Sequence, residues 1–279
     1  MKKAFLFILL AISLTSCEEV VNSLTKDNTV DGLKEALRVG TSVAVQQLGK
    51  ENGYLGDEAV KIDLPPEAQT TFQAVKTIQP ILSNPLVSSA LGALNVQGLD
   101  ANLENVLITA LNRAAEDAAP KSVDIFINTI NGMTINDGTN ILFSTNNQAA
   151  TDYLADKTTT ELQAAFSPVV NASLNEVSVA NYTATEAWAT FAEKNNQLAA
   201  AIKSAETGIN LAGSLGLLSS DQIQKINSVK SVNTDLGGYV TGKALDGLFK
   251  KIAGEEFKIR TDASARVNDL LRKVFGQLD

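Results

Sequence analysis

Leu103-Glu104-Asn105-Val106-Leu107-Ile108-Thr109-Ala110-Leu111-Asn112-Arg113-Ala114-Ala115-Glu116-Asp117-Ala118 decides the fold class. Leu103, Val106, Leu107, Ala110, Leu111, Ala114 and Ala118 recur at steps of three and four, the period that lays one side of an α-helix on a core. Downstream, Pro120 starts or kinks a helix bearing Val123, Phe126, Ile127 and Ile130. Upstream, Phe72, Val75 and Ile78 mark a short helix stopped by Pro80, and Val30, Leu33, Leu37, Ala44 and Leu48 share a face that ends at Gly49 and Gly53.

The same period continues toward the C-terminus. Thr134 with Asp137 forms a capping pair, and Thr158 with Glu161 reads as a capping box ahead of Leu162, Phe166, Val170, Leu174 and Val177. Trp188, Phe191, Leu198 and Ile202 predict a long helix, and Asp221 predicts the cap of a short one with Ile223 and Ile226. Asp235 precedes the stripe Leu236, Tyr239, Val240, Ala244, Leu248, Phe249 and Ile252. Thr261 or Asp262 is expected to cap the last helix, with Val267, Leu270, Leu271, Val274 and Phe275 inward and Gly276 at its end. Val60, Ile62 and Leu64 alternate before Pro65-Pro66, so a short strand or an extended segment is expected there. The expectation is an all-α, multi-helix, bundle-like domain with at most a short strand or hairpin near residues 60–64.

The N-terminus reads differently. Lys2 and Lys3 precede an apolar run from Ala4 to Leu14, and Leu14-Thr15-Ser16-Cys17 closes it with a cysteine behind small residues. That is the layout of a bacterial lipoprotein signal, with residues 1–16 removed and lipid carried on Cys17. The run is shorter than the roughly 20 residues a bilayer span needs. Residues 17–29 read as the lipidated cysteine and a tether, and residues 30–276 as one helical domain. Cleavage leaves 263 residues with 21 basic and 31 acidic side chains, a net of −10. So acidic a chain is a poor partner for nucleic acid, whose phosphates need clustered Lys and Arg. It gains nothing from anionic headgroups either, so the lipid is expected to hold it at the membrane.

Two absences narrow the chemistry. The chain has no histidine, the commonest general base and transition-metal ligand. Its one cysteine is Cys17, whose thiol acylation consumes, so no disulfide, zinc-thiolate site or cysteine nucleophile is expected. No metal and no cofactor is expected.

Several segments together resemble one family. They include Gly32-Leu33-Lys34-Glu35-Ala36-Leu37, Ile62-Asp63-Leu64-Pro65, Leu111-Asn112-Arg113-Ala114-Ala115-Glu116 and Met133-Thr134-Ile135. Lys243-Ala244-Leu245-Asp246-Gly247-Leu248-Phe249 and Leu270-Leu271-Arg272-Lys273-Val274-Phe275-Gly276 follow in order. The chain is similar over residues 30–276 to a bacterial lipoprotein family catalogued as domain of unknown function 4197. The resemblance implies a helical, exported, usually lipid-anchored protein and brings no activity or catalytic residue. Residues 196–232 look longer than the connection the family has there, and an extra helical hairpin is expected in them.

Candidate chemistry is sparse. Gly237-Gly238-Tyr239-Val240-Thr241-Gly242-Lys243 has the glycine and lysine spacing of a phosphate-cradling loop. Ala244 stands where magnesium needs Ser or Thr, so a helix start is the better reading and no nucleotide is expected. Ser23-Leu24-Thr25-Lys26 matches a Ser-x-x-Lys nucleophile pattern, but it lies in the expected tether. Trp188, Phe191 and the Gly-rich, Leu-rich stretch from Gly208 to Leu218 read as core, with a membrane- or partner-touching edge as the alternative. Arg113, Glu116, Asp137, Asp246, Glu255, Glu256, Arg260 and Arg266 are the remaining charged resource. Arg113 with Glu116 and Glu256 with Arg260 have helical pair spacing. Arg113, Glu116, Asp246 and Arg260 are the candidate ligand-binding set, and no catalytic residue is assigned. The expected function is a lipid-anchored envelope protein, non-enzymatic, binding a partner protein or a small apolar ligand. A hydrolase with paired carboxylates is the alternative. Glu18 follows Cys17 where Asp retains lipoproteins at the inner membrane, so the outer membrane, facing the periplasm, is the expected location. Display on the cell surface is the variant reading.

Overall fold

The structure, a computed structural model, describes residues 15–91, 94–176, 178–179, 181–232 and 235–276, except for the side chains of 15–28, 90–91 and 179. The described residues are overwhelmingly helical. They form α1 (Thr15–Leu48), α2 (Pro66–Ile81), α3 (Pro85–Leu91), α4 (Ala101–Ala118), α5 (Val123–Gly132), α6 (Ile135–Leu142) and α7 (Ala149–Glu176). A two-stranded hairpin follows, β1 (Ser178–Val179) and β2 (Tyr182–Thr183), and then α8 (Ala184–Ser204), α9 (Glu206–Ser214), α10 (Ser220–Asn227), α11 (Leu236–Thr261) and α12 (Asp269–Phe275). The chain divides into two compact units: Met1–Val45, Val123–Thr160 and Phe249–Asp279 in the first, Gln46–Ser122 and Glu161–Leu248 in the second.

In the first unit, α1 buries Val30, Leu33, Ala36, Leu37, Ala44 and Val45. Gly32 lets α12 approach closely, because a Cβ there would overlap the Val274 side chain. Phe126 of α5 meets Phe249 of α11 edge to face, with ring centroids 6.2 Å apart. Helix α6 starts at a complete capping box: the Thr134 hydroxyl accepts from the Asp137 N–H while the Asp137 carboxylate accepts from Thr134. Hydrogen bonds from the Thr134 side chain and backbone hold the Asp137 carboxyl below its ordinary range.

In the second unit, α4 lays its apolar stripe on the core, as the sequence predicts. Leu107, Leu111 and Ala114 are fully buried, and Asp100 caps the helix by accepting from the N–H groups of Asn102 and Leu103. The buried face is wider than the apolar stripe and also takes in Asn112, Ala115 and Glu116. Phe72 of α2 stacks on Phe191 of α8 at 5.3 Å, and Trp188 lies 5.1 Å from Phe191. Two short helices, α9 and α10, occupy the stretch where an extra hairpin is expected.

Several local expectations are corrected. Thr158 and Glu161 cap nothing, because α7 runs unbroken from Ala149, and the Thr158 hydroxyl donates to the Leu154 carbonyl one turn back. The capping box in this region is Thr183 with Glu186, which opens α8 and lowers the Glu186 carboxyl pKa, through the backbone bond first. Ser219, not Asp221, caps α10, with Gln222 completing its box. Asp262 caps only a 3-10 turn, Ala263–Ala265, and Asn268 caps α12, leaving Val267 exposed. Val60, Ile62 and Leu64 are buried in an extended segment, but they pair with no strand; the hairpin lies instead at Ser178–Thr183. Its turn uses Asn181 at φ 71°, a left-handed conformation that Asn tolerates.

Candidate functional site

The candidate charged residues fall into separate clusters. In the second unit, Glu116 projects from α4 toward the turn after α1. Its Oε1 accepts from the N–H groups of Tyr54 (3.1 Å) and Leu55 (3.2 Å), and its Oε2 from that of Asn52 (3.3 Å). Arg113 donates to Glu116 Oε2 and, through Nη2, to Glu51 and Asn52 at 3.1 Å each. One turn back, Asn112 accepts from the Ile62 N–H and donates to the Ile62 carbonyl. Two tyrosines close the segment from the side of α11: Tyr54 Oη donates to the Ala244 carbonyl at 2.7 Å, and Tyr239 Oη to the Asp63 carbonyl at 3.0 Å. Burial, with the Glu116 charge behind it, pushes the Tyr54 phenol far above its ordinary value. Residues 52–64 are thus a non-helical strap held by side chains of α4 and α11.

In the first unit, Glu256 and Arg260 form a buried ion pair at 2.9 Å, one turn apart on α11. The Glu256 carboxylate also accepts from the N–H groups of Ala150 (3.0 Å) and Thr151 (2.8 Å) and from the Thr151 hydroxyl. Arg260 donates to the carbonyls of Leu142 (3.1 Å) and Ile141 (2.9 Å). The anion therefore sits at the N-terminus of α7 and the cation at the C-terminus of α6, each opposite the helix-dipole charge it favours. Arg266 closes α11 in the same manner, donating to the carbonyls of Ile259 and Arg260. Beside this pair lies a slot among Leu33, Leu37, Ile252 and Phe275 with a volume of about 10 Å³, room for about one water.

Asp246, the fourth candidate, is exposed and pairs with Lys243 at 3.3 Å. Gly237 to Lys243 is the start of α11 and is helical throughout, not a strand-to-helix loop. Gly237 is explained by packing, since a Cβ there would overlap Asn171 Oδ1 of α7, and the Gly238 N–H donates to Asp235. Ser23 to Lys26 lies on the helical backbone of α1, with side chains outside the described residues, as is the side chain of Cys17. Among the described residues no group of three or more His, Cys, Asp or Glu could hold a metal ion, and no helix is long and apolar enough to cross a membrane.

The site with space for a ligand was not among the expected residues. The first part of α7 and the last part of α11 flank an open groove of about 570 Å³. It is lined by the small residues Ala155, Ala253 and Gly254, by Phe249 and Phe257, and by the polar Gln148, Thr151, Asp152 and Lys250. Phe257 is 50% exposed. Gly254 stands in open space: a Cβ there would meet nothing within 4 Å. The sequence signals it weakly, since Gly254 is one of five glycines in α11 and Gly242 stands in open space as well.

A family model described as "Protein of unknown function (DUF4197)" matches residues 23–95 and 81–276. The chain belongs to this family. No curated protein and no solved structure matches the chain. The DUF4197 match takes in the strap, α4, α7 and all of α11, so the Glu116 and Glu256 clusters and the groove all lie within it.

Proposed function

We propose that this DUF4197 protein is a non-enzymatic, lipid-anchored component of the bacterial envelope that works by binding, and that the α7–α11 groove is where it binds. The signal-like N-terminus, ending in Leu14-Thr15-Ser16-Cys17, supports the anchor, and Glu18 behind it supports the outer membrane. The observation that carries the binding reading is the groove itself, an open space of about 570 Å³ lined by the small residues Ala155, Ala253 and Gly254 and by Phe249 and Phe257. A small apolar ligand, or an apolar side chain of a partner, fits that lining and volume. The hydrolase alternative is weaker, because the two most buried carboxylates, Glu116 and Glu256, each spend both oxygens on backbone N–H groups and an arginine.

The test of binding is titration with 1-aminoanthracene, a neutral apolar fluorophore. Saturable one-to-one binding by the native chain, lost in Gly254→Trp with the helical circular dichroism intact, is the expected result. Binding that survives Gly254→Trp, or no binding, overturns the groove reading. The anchor is tested separately: Cys17→Ser should abolish acyl labelling and leave the precursor unprocessed, and fractionation should place the native chain in the outer membrane.

A further inference from the structure

We infer that the second unit carries a bilayer-contacting face formed by α3 and α9. The 23 residues 77–99 and the 14 residues 207–220 contain no Asp, Glu, Lys or Arg. In a chain with 19% charged residues, about seven charges would fall in stretches of that combined length. The fold brings the two charge-free runs together, since α3 and α9 pack against each other. Each run buries part of its apolar set, Ile78, Val87, Leu94 and Leu99 in one and Ile209 and Leu218 in the other, and leaves leucines in solvent. Leu86 at the start of α3 is 68% exposed, Leu211 on α9 is 55% exposed, and Leu215 at its end is 66% exposed. The charges that bound the runs in sequence are Lys76, Asp100, Glu206 and Asp221, and Asp221 is paired with Lys225 on α10.

The chemistry of this face favours a lipid surface over a protein. Protein-binding centres draw on Trp, Tyr and Arg, and these runs contain none of the three. The polar residues next to the leucines along the chain are Ser83, Asn84, Ser88, Asn210 and Ser214, uncharged groups that enter a headgroup region without stripping water from an ion. On a chain with a net charge of −8, these runs add no charge of their own against an anionic bilayer. Three leucines give weak binding on their own, so the face acts by orienting a chain already held at the membrane. In that respect it rests on the lipid-anchor reading.

The test uses the full chain, expressed with its own leader, purified and reconstituted on phosphatidylcholine vesicles with brominated acyl chains. Trp188→Phe removes the only tryptophan, and Leu86→Trp, Leu211→Trp or Leu215→Trp then places a reporter on the face. Bromine should quench all three reporters about twofold or more, and Leu211→Glu with Leu215→Glu should abolish quenching at position 86. Mass spectrometry of the same samples reads acylation of Cys17 independently. Quenching without acylation removes the anchor and keeps the face. Acylation with unquenched reporters on vesicle-bound chain keeps the anchor and overturns the face. Unquenched reporters in a chain that the paired glutamates convert from dimer to monomer reassign the leucines to self-association, which also overturns it.

Discussion

The side-chain amide of Asn112 pairs with the peptide group of Ile62 in both directions, accepting from its N–H and donating to its carbonyl at 2.8 Å each. A second strand would give Ile62 the same two bonds. The extended segment thus needs no sheet, because a helix side chain stands in for one.

Asn112→Ala should leave both Ile62 groups buried without partners, at a cost of about 2–4 kcal/mol in urea unfolding. Asn112→Asp keeps an acceptor and loses the donor, and it should also destabilise the chain. A loss below about 0.5 kcal/mol for Asn112→Ala would mean that water replaces the amide.

Leu107→Ala and Leu111→Ala remove fully buried side chains from α4 in the second unit. Each should cost about 2–5 kcal/mol, read as a lower urea midpoint.

The pH dependence of stability should carry a Tyr54 signature. Its folded pKa lies above the unfolded value of about 10, so its contribution is complete below that pH and is lost as pH rises above it. Tyr54→Phe gives up one hydrogen bond, about 0.5–1.5 kcal/mol at neutral pH. The native chain should lose melting temperature more steeply than Tyr54→Phe between pH 9 and 11. Parallel curves would contradict the burial of the phenol.

Two glycines of α11 should answer the same substitution with opposite signs. Gly254→Ala adds a methyl group to open space and should stabilise by about 0.5–1 kcal/mol. Gly237→Ala must displace Asn171 and should destabilise the chain. Thermal melts of the two variants decide both.

Glu256→Leu strands the Arg260 guanidinium in the interior and should cost about 3–5 kcal/mol. Adding Arg260→Met should make the double variant less destabilised than the sum of the singles, because the stranded charge is gone. Strict additivity would show that the two side chains act independently.

How much of this was legible follows from the kind of signal each feature leaves. Apolar periodicity is a one-dimensional trace of burial, so Leu107, Leu111, Val240 and Leu248 could be placed in the core from spacing alone. The ion pairs of Arg113 with Glu116 and Glu256 with Arg260 were legible for the same reason, being neighbours on one helix. Their long-range partners were not: nothing local in the sequence says that Glu116 meets residues 52–55, or that Glu256 meets residues 150 and 151. Caps failed where Thr158 mimicked one, because a mid-helix Thr can bond one turn back and leave the helix intact. The groove was all but invisible because the small residues that line it form no pattern.

The strap also separates two properties that usually travel together, secondary structure and protection from solvent. The amide hydrogens of Tyr54, Leu55 and Ile62 belong to no helix or strand, yet each is engaged by a side chain of α4. Their exchange with deuterium is therefore governed by the opening of those side-chain contacts rather than by fraying of a ladder. By that clock a loop of this protein keeps time with a buried helix.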